Sequence, residues 1–246
     1  MKRALLCVLP AVVLAMLALC PASAAEEAKA PVKCLWVGMA AHKDVTMEEA
    51  LKNIKEQYPG VAITVTEDIN DVKLDNLKNY DVLAMYQSKG EGGNPPDEVK
   101  QGMMDFIKGG GGLFVSHFAV ANVQEWRDSI DIFGAMWVSG KSTHDPYHQF
   151  RVDVADEGHP IIEGVKPFTT NDELYFNLLM RPDMHVILSA DQERFGHTVK
   201  EPMLATHYFH NARCVYFALG HDIASTQPPE YRKVIVQSIE WAAGRR

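Results

Sequence analysis

Cysteine is scarce in this sequence: four residues in 246, at positions 7, 20, 34 and 214. That is too few for a disulfide framework. At 47% hydrophobic and 23% charged, the chain has ordinary globular composition, and its core needs no covalent staple. Cys34 and Cys214 each sit inside an apolar run, so two buried thiols and a single bridge both stay open. Basic charge is also short, with 24 Lys and Arg against 32 Asp and Glu. Such a chain repels phosphates, which disfavours nucleic acid as a partner. A phosphate-cradling loop is missing too. The glycines of "GGGG" (109–112) follow a helical stretch and precede a strand, the reverse of a phosphate loop. "GEGGNPP" (90–96) has the right order but lacks the Lys-Ser/Thr pair, so no nucleotide cofactor is expected and the loop reads as surface. No internal repeat or low-complexity tract is visible.

The first residues do not belong to a folded domain. Lys2 and Arg3 precede an apolar run from Ala4 to Cys20, and Pro21-Ala22-Ser23-Ala24-Ala25 follows. This is the pattern of a secretory signal cleaved after Ala24. The run is almost long enough to span a bilayer, but the Ala-x-Ala site favours cleavage over a stable membrane anchor. Leu19 before Cys20 speaks against a lipid anchor. Removing Lys2 and Arg3 leaves a chain two units more negative than the −8 of the whole sequence. The expected product is an acidic periplasmic protein: signal 1–24, a disordered lead 25–30, and one domain over 31–246.

Within that domain, strand-length apolar runs alternate with helical periodicity. Strands are expected at Cys34–Ala40, Val61–Thr66, Tyr80–Tyr86 and Leu113–His117. A helix opens at Thr46, with Glu49 completing a capping box, and stops at Pro59-Gly60. Asp71–Asn79 is a short helix or turn. Asn94-Pro95-Pro96-Asp97-Glu98 starts another helix, with Asn94 as cap and Val99, Met103, Phe106 and Ile107 as its buried stripe. Val123–Phe133 is expected to be helical. Later strands are expected at Phe150–Val154, Val186–Ala190, Pro202–His207 and Cys214–Leu219, with a closing helix over Tyr231–Ala243. The alternation implies an α/β fold, a mainly parallel sheet with helices on both faces and an antiparallel C-terminal extension.

Three histidines fall just beyond strand ends: His42, His117 and His221. Parallel sheets bind ligands outside the carboxyl ends of their strands. If these strands run in one direction, the three imidazoles reach one edge, where they suit proton transfer or a divalent metal such as zinc. Satisfied core or surface histidines are the bland alternative for each. In "STHDPYHQF" (142–150), His144 and His148 are four apart, but Pro146 opposes a helix, so a zinc pair there is weakly indicated and one ring lining a cleft is the better reading. His159, before Pro160, shapes a turn. Asp172 and Glu173 stand together in an apolar and aromatic stretch, where structural pairing and acid, base or ligand chemistry are evenly matched. Trp36, Trp126, Tyr147 and Tyr175 could stack on a sugar ring, although aromatics at such spacings usually fill cores.

"VGMAAHKD", "GGGGLFVSHFA", the stretch from Trp126 to Trp137, "THDPYHQFRVDVADEGHPIIEG", "DELYF" and "VYFALGHD" occur in an order and spacing that resemble the ThuA-like (trehalose utilisation) family, within the class I glutamine amidotransferase-like superfamily. The resemblance implies a flavodoxin-like domain and a role in the metabolism of sugars, notably oxidised (3-keto) glycosides. It also marks a departure. Where amidotransferases place a nucleophilic cysteine on a sharp turn, this chain has His117, and "FVSHF" lacks the glycines of a nucleophile elbow around Ser116. Amidotransferase and serine hydrolase activities are therefore disfavoured. The expected reacting groups are His117, Glu173 and His221. His42, His144, Trp126 and Tyr147 are expected at the substrate, and His42, His117 and His221 at a divalent metal. The ligand expected is a small sugar or keto-sugar, and an oligomer is compatible with the sequence. A non-catalytic carbohydrate-binding or sensing protein on the same scaffold fits the missing nucleophile equally well, and a structural subunit is a third reading.

Overall fold

The computed structural model describes residues 30–38, 47–86 and 94–246. The leader, His42, Thr46 and residues 90–93 lie outside the described residues. The first half contributes β1 (Val32–Val37), α1 (Glu48–Gln57), β2 (Val61–Thr66), α2 (Leu74–Leu77), β3 (Val82–Met85), α3 (Asp97–Lys108) and β4 (Gly112–Ser116). The second half is mostly antiparallel. It holds α4 (Ser129–Phe133), β5 (Ala135–Met136), β6 (Thr143–His144), β7 (His148–Val154), β8 (Phe168–Asp172), β9 (Tyr175–Phe176) and β10 (Leu179–Met180). The chain closes with β11 (His185–Arg194), β12 (His197–Phe209), β13 (Ala212–Phe217) and α5 (Pro229–Ala242).

Nine of these strands form one sheet in the order β2-β1-β3-β4-β13-β12-β11-β7-β8. The first five are parallel neighbours in the flavodoxin-like 2-1-3-4-5 order, and the remaining pairings are antiparallel. All residues of β3 and β4 are buried, so both faces of the sheet are covered there. Two consecutive glycines show by what. A Cβ on Gly111 would lie 2.4 Å from the Phe106 ring of α3, and one on Gly112 would lie 2.5 Å from the Ala242 carbonyl of α5. Successive residues of an extended chain point to opposite faces, so α3 and α5 cover opposite sides of β4, and both approach too closely for a side chain. This close packing, with Gly110 at φ +96°, accounts for the glycine run.

Several boundaries differ from expectation. The first residue before α1 is the fully buried Met47, whose side chain caps nothing, so the helix starts one residue late for a Thr46 capping box. Pro96 takes the cap position of α3, while Asn94 bonds Glu125 through Nδ2 at 3.0 Å. The helix expected over 123–133 is confined to α4. A 3₁₀ turn, His117–Ala121, comes first, and between it and α4 the chain forms turns, with the Trp126 N–H on the Val123 carbonyl at 2.9 Å and the Ser129 N–H on the Trp126 carbonyl at 3.0 Å, three residues back instead of four. The β11–β12 hairpin is longer than its apolar stretches suggest, because its outer half is polar, with Asp191, Glu193 and Lys200 on an exposed face and Gln192, Arg194 and Glu201 largely covered on the other.

One buried carboxylate decides how the second half folds back. β8 is the far edge of the sheet, four places from β13. Laid flat, that is roughly 19 Å at the usual strand spacing. Yet Asp172 Oδ2, at the end of β8, accepts from the Gly220 N–H at 2.7 Å, and Oδ1 accepts from His221 N–H at 3.2 Å and Glu173 N–H at 2.8 Å. The antiparallel extension must therefore curl until its edge meets the segment following β13. Thr170 donates to the Ser225 carbonyl at 3.1 Å and Ser225 donates to the Asn171 carbonyl at 2.8 Å, which repeats the attachment. Burial pushes the Asp172 carboxyl up to about 7, against the backbone donors that pull it down.

Cys34 and Cys214 are both buried and free. They lie on β1 and β13, three strand spacings apart, or roughly 14 Å. That exceeds the ~7 Å reach of a disulfide, so the bridge left open by the sequence is ruled out. Burial raises both thiols, Cys214 to about 12. Neither residue will react with a thiol reagent in the folded protein, and both will react once denaturant is added. Labelling either one under native conditions, read by mass spectrometry, contradicts their burial. Asp172→Ala takes the acceptor from three N–H groups, one buried and two part-buried, at ~1 kcal/mol each, so urea unfolding will show a loss of about 3 kcal/mol. A loss below about 1 kcal/mol shows that the clamp does not close the fold.

Candidate functional site

β4 ends at Ser116, and the next residue, His117, has φ +45°, a left-handed backbone that non-glycine residues seldom adopt. Such a position costs on the order of 1–3 kcal/mol and marks sites where surrounding structure dictates the geometry. Here that structure is the continuation of β13. His117 Nδ1 lies 2.9 Å from the Ala218 carbonyl, and Ser116 Oγ donates to the Leu219 carbonyl at 3.3 Å. A carbonyl only accepts, so Nδ1 carries the proton and Nε2 presents its lone pair. The imidazole is fully buried and tautomer-fixed.

His221 arrives from the same continuation. The turn carrying it uses Gly220 at φ +127°, where a Cβ would lie 2.8 Å from Tyr231 Oη. Tyr86 Oη donates to the Gly220 carbonyl at 2.7 Å, and Asp172 receives the two N–H groups already described. The neighbouring residue, Glu173, points its carboxylate the other way. Glu173 Oε2 is 3.2 Å from His221 Nδ1 and 3.9 Å from His117 Nε2, and Oε1 is 3.6 Å from His144 Nδ1. Asp172 and Glu173 thus divide the two roles the sequence left evenly matched: one holds backbone, the other faces imidazoles.

Ligand atoms of His117, Glu173 and His221 lie within 4.8 Å of one another. Burial works to raise the Glu173 carboxyl, but the hydrogen bond and charge of His221, with His117 and His144 behind it, hold it below its usual range. The bond to Glu173 raises His221, with burial opposing. Tyr175 completes the wall. Its ring stacks on His117 at 4.7 Å, its Oη is 3.3 Å from His117 Nε2, and burial holds its phenol well above the ordinary value. Antiparallel pairing of β6 with β9 sets His144 opposite Tyr175.

A cavity of about 320 Å³ opens on this wall, lined by Phe118, Asn122, Trp137, His144, Glu173 and Tyr175, among others. Tyr147 does not line it and stands at the edge of the histidine cluster instead, 43% exposed, with its ring 5.4 Å from His221 and its hydroxyl on Asp222 at 3.0 Å. Trp126 lies elsewhere: it is 8% exposed, packs edge-on against Phe133 and lines neither this cavity nor its larger neighbour. Trp36 is wholly in the core. His148 turns back to the Pro146 carbonyl at 2.8 Å, so it forms no pair with His144. His159 accepts from the Ile161 N–H, the shaping role expected of it. Trp137 was absent from the sequence-based candidates. Its only signal was a place near other aromatics, which core residues share.

The chain matches the family described as "Trehalose utilisation" over residues 34–242. No curated protein matches it. Solved structures share the fold. A ThuA-like protein of Parabacteroides merdae superposes with a TM-score of 0.72 at 20% identity, covering 87% of this chain and 90% of that one. A ThuA-like protein of Bacteroides uniformis gives 0.69 at 20% identity, covering 90% and 95%. A cytoplasmic protein of Salmonella typhimurium gives 0.64 at 12%, covering 86% and 99%. A flavodoxin-like sheet, with motifs matched across nearly the whole domain, makes this chain a member of the ThuA family.

Proposed function

We propose that this chain is an exported enzyme of sugar metabolism that acts beside the carbonyl of an oxidised sugar, with a divalent ion of the zinc class held by His117, Glu173 and His221. The observation that carries the reading is convergence: ligand atoms from three distant segments lie within 4.8 Å. Two imidazoles and one carboxylate are the donor set of a catalytic zinc site that keeps an open position. The fixed tautomer of His117 supports it, because a ligating imidazole commonly gives its other N–H to a carbonyl. When bound, the ion would supply Lewis-acid polarisation of a carbonyl oxygen.

The chain's own groups supply the rest. Tyr175 keeps its proton, and once the His117 Nε2 lone pair 3.3 Å from Oη is given to the ion, Oη would be a donor toward the cavity that this residue lines. His144 donates from Nδ1 to the Asp145 carbonyl at 2.8 Å, which leaves Nε2 as the ring's acceptor. His144 Nε2 takes the proton from carbon next to the carbonyl, and Tyr175 Oη gives one to the oxygen. Phe118 and Trp137 restrict water on the same wall. The sugar and 3-keto assignment rests on the family, described by trehalose utilisation. Export rests on the basic, apolar and Ala-x-Ala pattern of residues 1–24. Among the described residues no helix is long and apolar enough to cross a membrane.

Elemental analysis of the purified protein will find one divalent ion per chain. His117→Ala and Glu173→Gln will each lose it, and both will lose turnover in a mass-spectrometric screen of sugars and 3-keto sugars. His144→Ala will keep the ion and lose turnover by about 100-fold or more. Circular dichroism separates these results from unfolding, with His221→Gln as an additional variant. Folded His117 and Glu173 variants that retain full metal content and turnover remove the proposal.

A further inference from the structure

The cavity beside the His/Glu wall adjoins a larger cleft of about 980 Å³, and Ala121, Asn122, Gln124 and Trp137 line both. Charge is divided between the two spaces. Glu173 lines only the inner cavity, whereas Arg127 and Lys141 line only the outer cleft, with Glu125 beside them. In a chain of net charge −8, two cations against one carboxylate run counter to the overall balance. Neither Arg127 nor Lys141 has an ion pair among the described residues, so both charges are available to a ligand. Glu125 is partly engaged already, since its Oε2 accepts from Asn94 Nδ2 at 3.0 Å.

The uncharged groups of the lining point the same way. Ser139 Oγ donates to Gln124 Oε1 at 2.6 Å and Gln124 Nε2 donates to the Ala121 carbonyl at 2.9 Å, so these two side chains are spent on each other and on backbone. Asn177 has a left-handed backbone, φ +58°, and its side-chain oxygen accepts from Arg194, which also bonds Glu201. A guanidinium only donates, so Nδ2 is the group Asn177 has left to offer. Asn122 Nδ2 is buried without a hydrogen-bond partner among the described residues, although buried amide donors are normally satisfied. The cleft thus offers two cations and two amide donors against one open amide acceptor, Asn94 Oδ1, and the Glu125 carboxylate. Charged and amide N–H groups are the donor set for carboxylate or phosphate oxygens, which an arginine can meet with two parallel bonds. We infer that the outer cleft binds an anionic group, a carboxylate or a phosphate, and that the natural ligand is an acidic sugar with its neutral ring inside and its charge on the outer side of Trp137. Glu173 repels that charge from the inner cavity, so electrostatics fix which end of the ligand enters. This rests on the sugar reading above and adds a ligand charge and the residues that read it.

Calorimetric titration of the full protein with glucose, glucuronate, glucose 1-phosphate and glucose 6-phosphate tests the inference. At least one anionic sugar will bind about tenfold or more tightly than glucose, and glucuronate against the two phosphates tells which anion is preferred. The advantage will shrink as NaCl is raised from about 0.05 to about 0.5 M. Arg127 and Lys141 are exposed, so Arg127→Gln and Lys141→Gln keep the fold, and each will bring the anionic sugar toward the affinity of glucose. Lys55→Gln, which removes a charge from the exposed side of α1, will leave the advantage intact. Elemental analysis and circular dichroism of each variant will match the unaltered protein, which separates loss of the anion site from loss of an ion at the His/Glu wall. Equal affinity for glucose and all three anionic sugars, or an advantage that survives both Arg127→Gln and Lys141→Gln, overturns the anion site and leaves the sugar reading standing. An advantage lost equally in Lys55→Gln does the same. Failure of all four sugars to bind removes both.

Discussion

The arrangement depends on a carboxylate that performs no chemistry. Asp172 is fully buried and takes three backbone N–H groups, two of them from the segment that follows β13. A buried carboxylate without such donors would be costly, and so would the N–H groups without it, so the two requirements meet only when the sheet extension curls back. That closure places Glu173, the next residue, against His221, whose own N–H is part of the clamp. One interaction thus sets both the shape of the second half and the separation of two reactive side chains.

The left-handed backbone at His117 is the second constraint. This strained corner carries an imidazole, tied by Nδ1 to the Ala218 carbonyl. An anchored, buried imidazole offers one lone pair in one direction. This gives the site a preorganised acceptor, a group suited to proton movement or metal ligation.

Much of the first half could be read directly. Strands such as Val61–Thr66 and the buried stripe of α3 follow local periodicity, because each is a neighbour-to-neighbour pattern on one face. The misplacements came where tertiary contacts competed for local groups. The helix expected from Val123 was cut to α4, because the Trp126 and Ser129 N–H groups bond carbonyls three residues back instead of four. Asn94 spent its amide on Glu125 instead of capping α3. Among candidate site residues, His117, His144, Glu173 and His221 come together, Trp126 stays in the core, and His42 falls outside the described residues. Tyr147 stands at the edge of the cluster.

The sequence by itself determined the α/β alternation, the parallel half-sheet and the delivery of His117 and His221 to strand ends, since these follow from burial periodicity and the direction of the chain. Family membership was legible as well, through motifs dispersed in a fixed order. Tertiary structure alone decided which member of the Asp172–Glu173 pair faces the imidazoles, that Cys34 and Cys214 are too far apart to bridge, and that Trp137 borders two adjoining cavities. Each of those depends on distances between segments remote along the chain. The curl that brings β8 to the end of β13 sets the first of them, and no local pattern encodes it.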